Sequence, residues 1–121
     1  MTTAPQRVLV VDDDAGMRET LTDILSAAGY DVTAVSDGDE AFAALMRGGY
    51  DAVVMDVRMP GRDGVAVVVD SGAPPPPVIL MTAYAVEERL RVARAEGVHA
   101  VVQKPFAAPY LLGLLAEVVA A

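Results

Sequence analysis

Five short apolar runs, rich in β-branched residues, recur along the chain, and each is followed by a stretch with helical periodicity. The first is Val8-Leu9-Val10-Val11, after which Met17, Leu21, Ile24, Leu25 and Ala28 fall at helical spacing up to a stop at Gly29. Asp31 to Val35 reads as a second strand, and Ala41, Phe42, Leu45 and Met46 as a short helix closed by Gly48-Gly49. Asp51 to Met55 is a third strand ending at Asp56, and Val65 to Asp70 gives a helix of only about two turns. Val78 to Met81 is a fourth strand and Val86 to Glu96 a helix. Ala100 to Val102 is a short fifth strand, and Ala107 to Ala120 a last helix with Pro109 near its start. Alternation at spacings too long for hairpins predicts right-handed βαβ units and a parallel sheet covered on both faces. Near-continuous Val, Leu and Ile agree, because strands of such a sheet are buried on both sides.

The 121 residues allow one domain, spanning 1–121. A chain of this size buries roughly two-thirds of the surface it exposes when unfolded, so it needs no covalent or metal staple. With no Cys, thiol catalysis and thiolate metal sites are excluded, and with His99 alone so are multi-His sites. A net charge of −8 argues against direct binding to nucleic acid. No apolar run approaches the roughly 18 residues of a spanning helix, and the N-terminus has no signal-peptide core. The expectation is a cytoplasmic domain with no membrane contact. The four prolines Pro74 to Pro77 are expected to form an extended connector into the fourth strand.

In an open α/β sheet, ligands bind beyond the carboxyl ends of the strands. Those ends carry Asp12-Asp13-Asp14 after strand one, Asp56 at strand three, Thr82 at strand four, and Lys104 past strand five. Lys104 is the single lysine among nine basic residues, a compact point charge that Arg does not imitate. Two carboxylates about 4 Å apart repel by roughly 1 kcal/mol in water and about 4 kcal/mol at an effective dielectric near 20. A hard divalent cation relieves that repulsion, and an all-oxygen open site with few carboxylates suits Mg²⁺. A carboxylate can attack phosphorus to give an aspartyl phosphate, a transfer that needs in-line positioning and cations on the equatorial oxygens. Asp56 is the nucleophile candidate, because it stands alone at the end of the central strand facing the acidic pair. Asp14 is expected to cap the first helix.

The chain resembles, over essentially its whole length, the receiver domain of two-component response regulators. The resemblance rests on Val8-Leu9-Val10-Val11-Asp12-Asp13-Asp14, on Met55-Asp56-Val57-Arg58-Met59-Pro60-Gly61 with Asp63-Gly64, on Leu80-Met81-Thr82-Ala83-Tyr84, and on Lys104-Pro105-Phe106. It implies a flavodoxin-like (βα)5 three-layer sandwich with strand order 2-1-3-4-5. It also implies a phosphorylation switch rather than an enzyme acting on external substrates, with Asp56 as phosphoacceptor. The donor would be a histidine kinase or phosphotransfer protein. Mg²⁺ would be held by Asp13, Asp56 and the Arg58 backbone carbonyl, with Asp12 contributing through water. Thr82 and Lys104 would contact the phosphoryl oxygens, and the Lys104–Pro105 bond would be cis. Output would pass through the last two helices to a partner protein or domain, or to a second copy of the chain.

Three features depart from the family pattern. Val101 stands where an aromatic residue is usual, the third helix is short and runs toward prolines, and the last helix has Glu117 as its only charge. Leu111, Leu112, Leu114, Leu115, Val118 and Val119 exceed what one buried face needs, so a surplus is expected to meet a partner. Arg58 and Tyr84 are expected to flank the line of water attack and prolong the phosphorylated state, while Arg62→Ala should leave hydrolysis unchanged. A dehalogenase-type phosphohydrolase would also use Asp and Mg²⁺, but its Asp-x-Asp-x-Thr motif fails at Gly16. A pseudo-receiver serving only as a binding module would not require the full acid, Thr and Lys set. A nucleotide-binding fold fails because no Gly-rich loop follows the first strand.

Overall fold

The computed structural model describes residues 4–71, 76–83 and 88–120. Its elements alternate without exception: β1 (Arg7–Val11), α1 (Ala15–Ala27), β2 (Asp31–Val35), α2 (Gly38–Arg47), β3 (Ala52–Asp56), α3 (Gly64–Asp70), β4 (Val78–Thr82), α4 (Glu88–Ala95), β5 (Ala100–Gln103) and α5 (Ala108–Ala120). The strands form one parallel sheet in the order β2-β1-β3-β4-β5, as the resemblance implied. Residues 74–75 of the expected polyproline connector, the first residues of the helix expected from Val86, and Tyr84 lie outside the described residues.

Alternate side chains of each central strand feed separate cores. Leu9, Val11, Val53, Met55 and Leu80 pack with Ala41 and Ala44 of α2, Val65, Val67 and Val68 of α3 and Ala93 of α4. Val8, Val10, Val54, Ile79, Met81 and Val102 pack with Leu21 and Leu25 of α1 and Leu111, Leu115 and Val118 of α5. The period-two alternation of strand side chains therefore makes a three-layer molecule, with α1 and α5 on one face and α2, α3 and α4 on the other. Truncating a fully buried leucine here, such as Leu115→Ala, removes about 2–5 kcal/mol.

Aspartates start three of the helices at one edge of this sheet. Asp14 accepts from the Gly16 amide at 2.9 Å, Asp37 from Glu40 at 2.8 Å, and Asp63 from Ala66 at 2.8 Å. The Asp63 cap explains why α3 begins one residue earlier than its apolar run, at Gly64. Helix α5 is covered more fully than a count of its apolar residues suggests. Leu112, Leu114 and Val119 are half-buried against the α1–α5 core, and Tyr110 is the large apolar side chain of α5 left 57% exposed.

Candidate functional site

The sheet delivers its chemistry at the carboxyl ends of the strands. Asp12 follows β1 directly and is fully buried, whereas Asp13 beside it is exposed. Asp56 closes β3 and Thr82 closes β4, both buried. Lys104 follows β5, and its amide donates to the Thr82 carbonyl at 2.7 Å, extending the ladder by one step. The next peptide, Lys104–Pro105, is cis, as expected.

Of the residues that the sequence singled out, the structure brings Asp12, Asp13, Asp56 and Lys104 into one cluster, with Thr82 at the end of the neighbouring strand. The Lys104 ammonium lies 2.9 Å from Asp56 Oδ2 and 3.0 Å from Asp12 Oδ2, so one cation bridges two buried carboxylates. Carboxylate oxygens of Asp12, Asp13 and Asp56 lie within 4.8 Å of one another. The Arg58 amide donates to Asp56 Oδ1 at 3.2 Å, which turns the start of the β3–α3 loop toward the carboxylate. Gly64 ends that loop: its amide bonds the Val57 carbonyl at 2.7 Å, and a Cβ there would stand 2.5 Å from the Asp56 carbonyl oxygen. Only a residue without a side chain fits there.

Burial and charge oppose each other at Asp56. Burial raises the Asp56 carboxyl above the usual 3.8, outweighing the Lys104 hydrogen bond and charge and the Arg58 amide, while the Asp12 charge adds to the rise. At Lys104, burial alone would depress the ammonium, but hydrogen bonds and charge from Asp56 and Asp12 more than offset it and raise it above 10.5. The lysine is therefore fully charged at neutral pH. Three carboxylates against one ammonium still leave negative charge in surplus when all are ionised, and every donor in the cluster is a hard oxygen. This donor set fits Mg²⁺ rather than a soft metal.

Arg18 escaped the sequence reading. One turn into α1, its guanidinium donates to the Asp12 backbone carbonyl at 2.8 Å and ties the helix to the acidic residue. The signal was its place one turn after the Asp14 cap, which aims a long donor back at the strand end.

The family model of the response regulator receiver domain matches residues 8–116. The chain belongs to this family. Receiver domains are the signalling switches of two-component systems, and Mg²⁺ and phosphoaspartate are typical of them. The chain is 38% identical over 113 residues to the response regulator protein FleR of Pseudomonas aeruginosa, covering 92% of this chain and 24% of that protein. It is 34% identical over 110 residues to the DNA-binding response regulator MtrA of Mycobacterium tuberculosis, covering 88% and 47%. The chain thus spans about a quarter to about a half of the length of these curated relatives. Among solved structures, the receiver domain of a Pseudomonas aeruginosa PAO1 sensor histidine kinase superposes with a TM-score of 0.86 at 29% identity, covering 98% of this chain and 100% of that one. That crystal structure has a magnesium ion coordinated in its active-site cleft. Among the described residues of the present domain, no helix is long and apolar enough to cross a membrane.

Proposed function

We propose that the domain is a cytoplasmic phosphorylation switch that takes a phosphoryl group onto Asp56 from a phosphohistidine of a kinase or phosphotransfer protein. The observation that carries this reading is the bridging ammonium of Lys104, held against the one carboxylate at the end of the central strand. An Asp56 oxygen attacks phosphorus as the donor's P–N bond breaks, the electron pair leaving on the imidazole nitrogen, and the product is an acyl phosphate. Lys104 then exchanges its contact with Asp56 for the incoming phosphoryl oxygens while keeping Asp12. Thr82, closing the neighbouring strand, supplies a hydroxyl to the same oxygens. Asp12, Asp13, Asp56 and the Arg58 backbone carbonyl would hold Mg²⁺. Bound there, the ion neutralises charge on the transferring group. The domain catalyses only its own phosphorylation and dephosphorylation.

Output runs through α4, β5 and α5 to a partner domain or protein, or to a second copy. Val92 of α4 and Tyr110 of α5 are exposed, and α5 lines a groove of about 270 Å³ with Pro109, Tyr110, Gly113, Leu114 and Glu117. Val101, in β5, is half-buried against the α2–α4 core, where a larger side chain is usual in the family. Incubation with acetyl phosphate and Mg²⁺, read by intact mass, tests the reading. One adduct of about 80 Da is expected in the parent and none in Asp56→Asn. An adduct that survives this substitution overturns the assignment of Asp56.

A further inference from the structure

The β3–α3 loop, residues 57–63, is held by more than its two ends. Arg62 lies over the Phe42 ring of α2 with 3.9 Å between guanidinium carbon and ring centroid. Its Nε stands 3.5 Å from Asp39 Oδ1 at the start of α2 and 3.4 Å from Asp70 Oδ2 at the end of α3. The backbone seats itself on the same spot. A Cβ on Gly38 would overlap the Arg62 carbonyl oxygen, and one on Gly61, whose φ is +74°, would stand 2.7 Å from Asp39 Oδ2. Arg62 therefore joins one loop to the beginning of one helix and the end of another. The loop it fixes begins with the Arg58 amide on Asp56 and ends with the Gly64 amide on Val57.

The geometry points to Arg62 as a positioning residue for the divalent-cation site: by clamping the β3–α3 loop to α2 and α3, it holds the Arg58 backbone where it can serve the metal. This rests on the proposed Mg²⁺ site, and it replaces the sequence-based expectation that Arg62→Ala leaves hydrolysis unchanged, because hydrolysis would use the same ion. Surface ion pairs of this kind add little to global stability, so their effect lies in fixing one loop geometry. The sign of the effect separates positioning from charge. Arg62 is a cation on a loop that serves a cation site, so removing its charge alone strengthens Mg²⁺ binding. Removing a clamp weakens it.

The test is a Mg²⁺ titration at constant ionic strength, followed by ¹H–¹⁵N shifts of the Val57, Arg58 and Gly64 amides. It compares the parent with Arg62→Met, Arg47→Met and Asp13→Asn. Arg62→Met keeps apolar bulk over Phe42 and loses both ion pairs, and Arg47, exposed in the last turn of α2, controls for the lost charge. Arg62→Met is expected to weaken Mg²⁺ binding about tenfold, the scale on which support of metal ligands acts. Arg47→Met should leave the midpoint unchanged or slightly tighter. Binding by Arg62→Met equal to or tighter than that of Arg47→Met overturns the inference, as does a loss confined to the metal-free melting temperature. If Arg62→Met does not fold, Arg62→Lys decides instead: it keeps the charge but loses the planar fork over Phe42 and between the two carboxylates, so Mg²⁺ binding weaker than the parent's supports the clamp and equal binding overturns it. A parent that does not titrate, or an Asp13→Asn that titrates like the parent, removes the metal site itself and the role of Arg62 with it. A parent that titrates beside an Asp13→Asn that does not leaves the site standing, and Arg62 alone is then judged.

Discussion

Lys104 holds Asp56 at 2.9 Å across 48 residues of sequence, and it reaches Asp12 from the same nitrogen. The acid pocket is thus already partly neutralised by the protein itself, and any arriving cation competes with an ammonium. Lys104→Met leaves two buried carboxylates without that partner and should destabilise the metal-free domain by about 3 kcal/mol, as breaking a buried pair does. The same variant should bind Mg²⁺ more tightly than the parent. Urea unfolding in chelator and Mg²⁺ titration check the two halves; an unchanged unfolding midpoint would refute the bridging role.

Mg²⁺ should stabilise the parent. With a dissociation constant of order 1 mM, 10 mM Mg²⁺ adds about 1.4 kcal/mol by linkage. That corresponds to a rise of several degrees in melting temperature. Asp13→Asn should abolish the shift while changing the metal-free melt little, because Asp13 is exposed. Differential scanning fluorimetry with and without Mg²⁺ reads both.

Asp56 gives the metal-free protein a pH signature. Its folded-state carboxyl is raised above 3.8, so the native chain binds that proton more tightly than the unfolded one. The corresponding stability is present below about pH 4 and is lost as pH rises through the raised value. At neutral pH the ionised carboxylate opposes folding, and Asp56→Asn should melt higher than the parent. The gap should close on acidification toward about pH 4. Melting curves in chelator across that range test it. The Lys104 contribution does not interfere, because its raised value places its loss above 10.5.

Val101→Tyr should strengthen the phosphorylation-dependent change. In the active state of the family the threonine moves toward the phosphoryl group and an aromatic side chain fills the space it leaves. A half-buried valine fills less of that space, so the activated state gains less packing energy and the population shift is smaller. Chemical-shift changes in α4 and α5 on adding beryllofluoride should be larger in Val101→Tyr than in the parent. Equal changes would dissociate Val101 from output.

The proposed output face of α5 is best probed at Tyr110. Leu112 and Leu114 are half-buried on the core, so a glutamate there disturbs folding together with any association. Tyr110→Glu should leave the melting temperature within about 0.5 kcal/mol of the parent while reducing self-association or partner binding in sedimentation.

Much of this was legible because strands β1, β3 and β4 are buried on both faces, and only apolar β-formers satisfy that condition. The site residues were legible for a topological reason: parallel strands place every carboxyl end on one edge, so Asp12, Asp56, Thr82 and Lys104 had to converge. What sequence did not show depends on contacts between faces. Arg62 sits twenty residues from Phe42 and eight from Asp70, and no local spacing joins them before α2 and α3 pack. The covering of Leu112 and Leu114 likewise depends on how broad a stripe of α5 the sheet and α1 enclose, which helical periodicity does not measure.

The aspartate caps of α1, α2 and α3 carry a consequence for stoichiometry. Asp14, Asp37 and Asp63 share the sheet edge with the acid pocket, so this end of the molecule is crowded with carboxylates. Each cap already spends an oxygen on a backbone N–H, and leaving it for an ion would unwind the first turn of a helix. Asp12 and Asp56 also accept from backbone amides, at 2.9 Å from Asp14 and 3.2 Å from Arg58, but these amides lie outside the helices, so an ion there does not open a helical turn. An isotherm measured on this acidic domain should therefore resolve a single ion per chain, where a count of negative charges would suggest several.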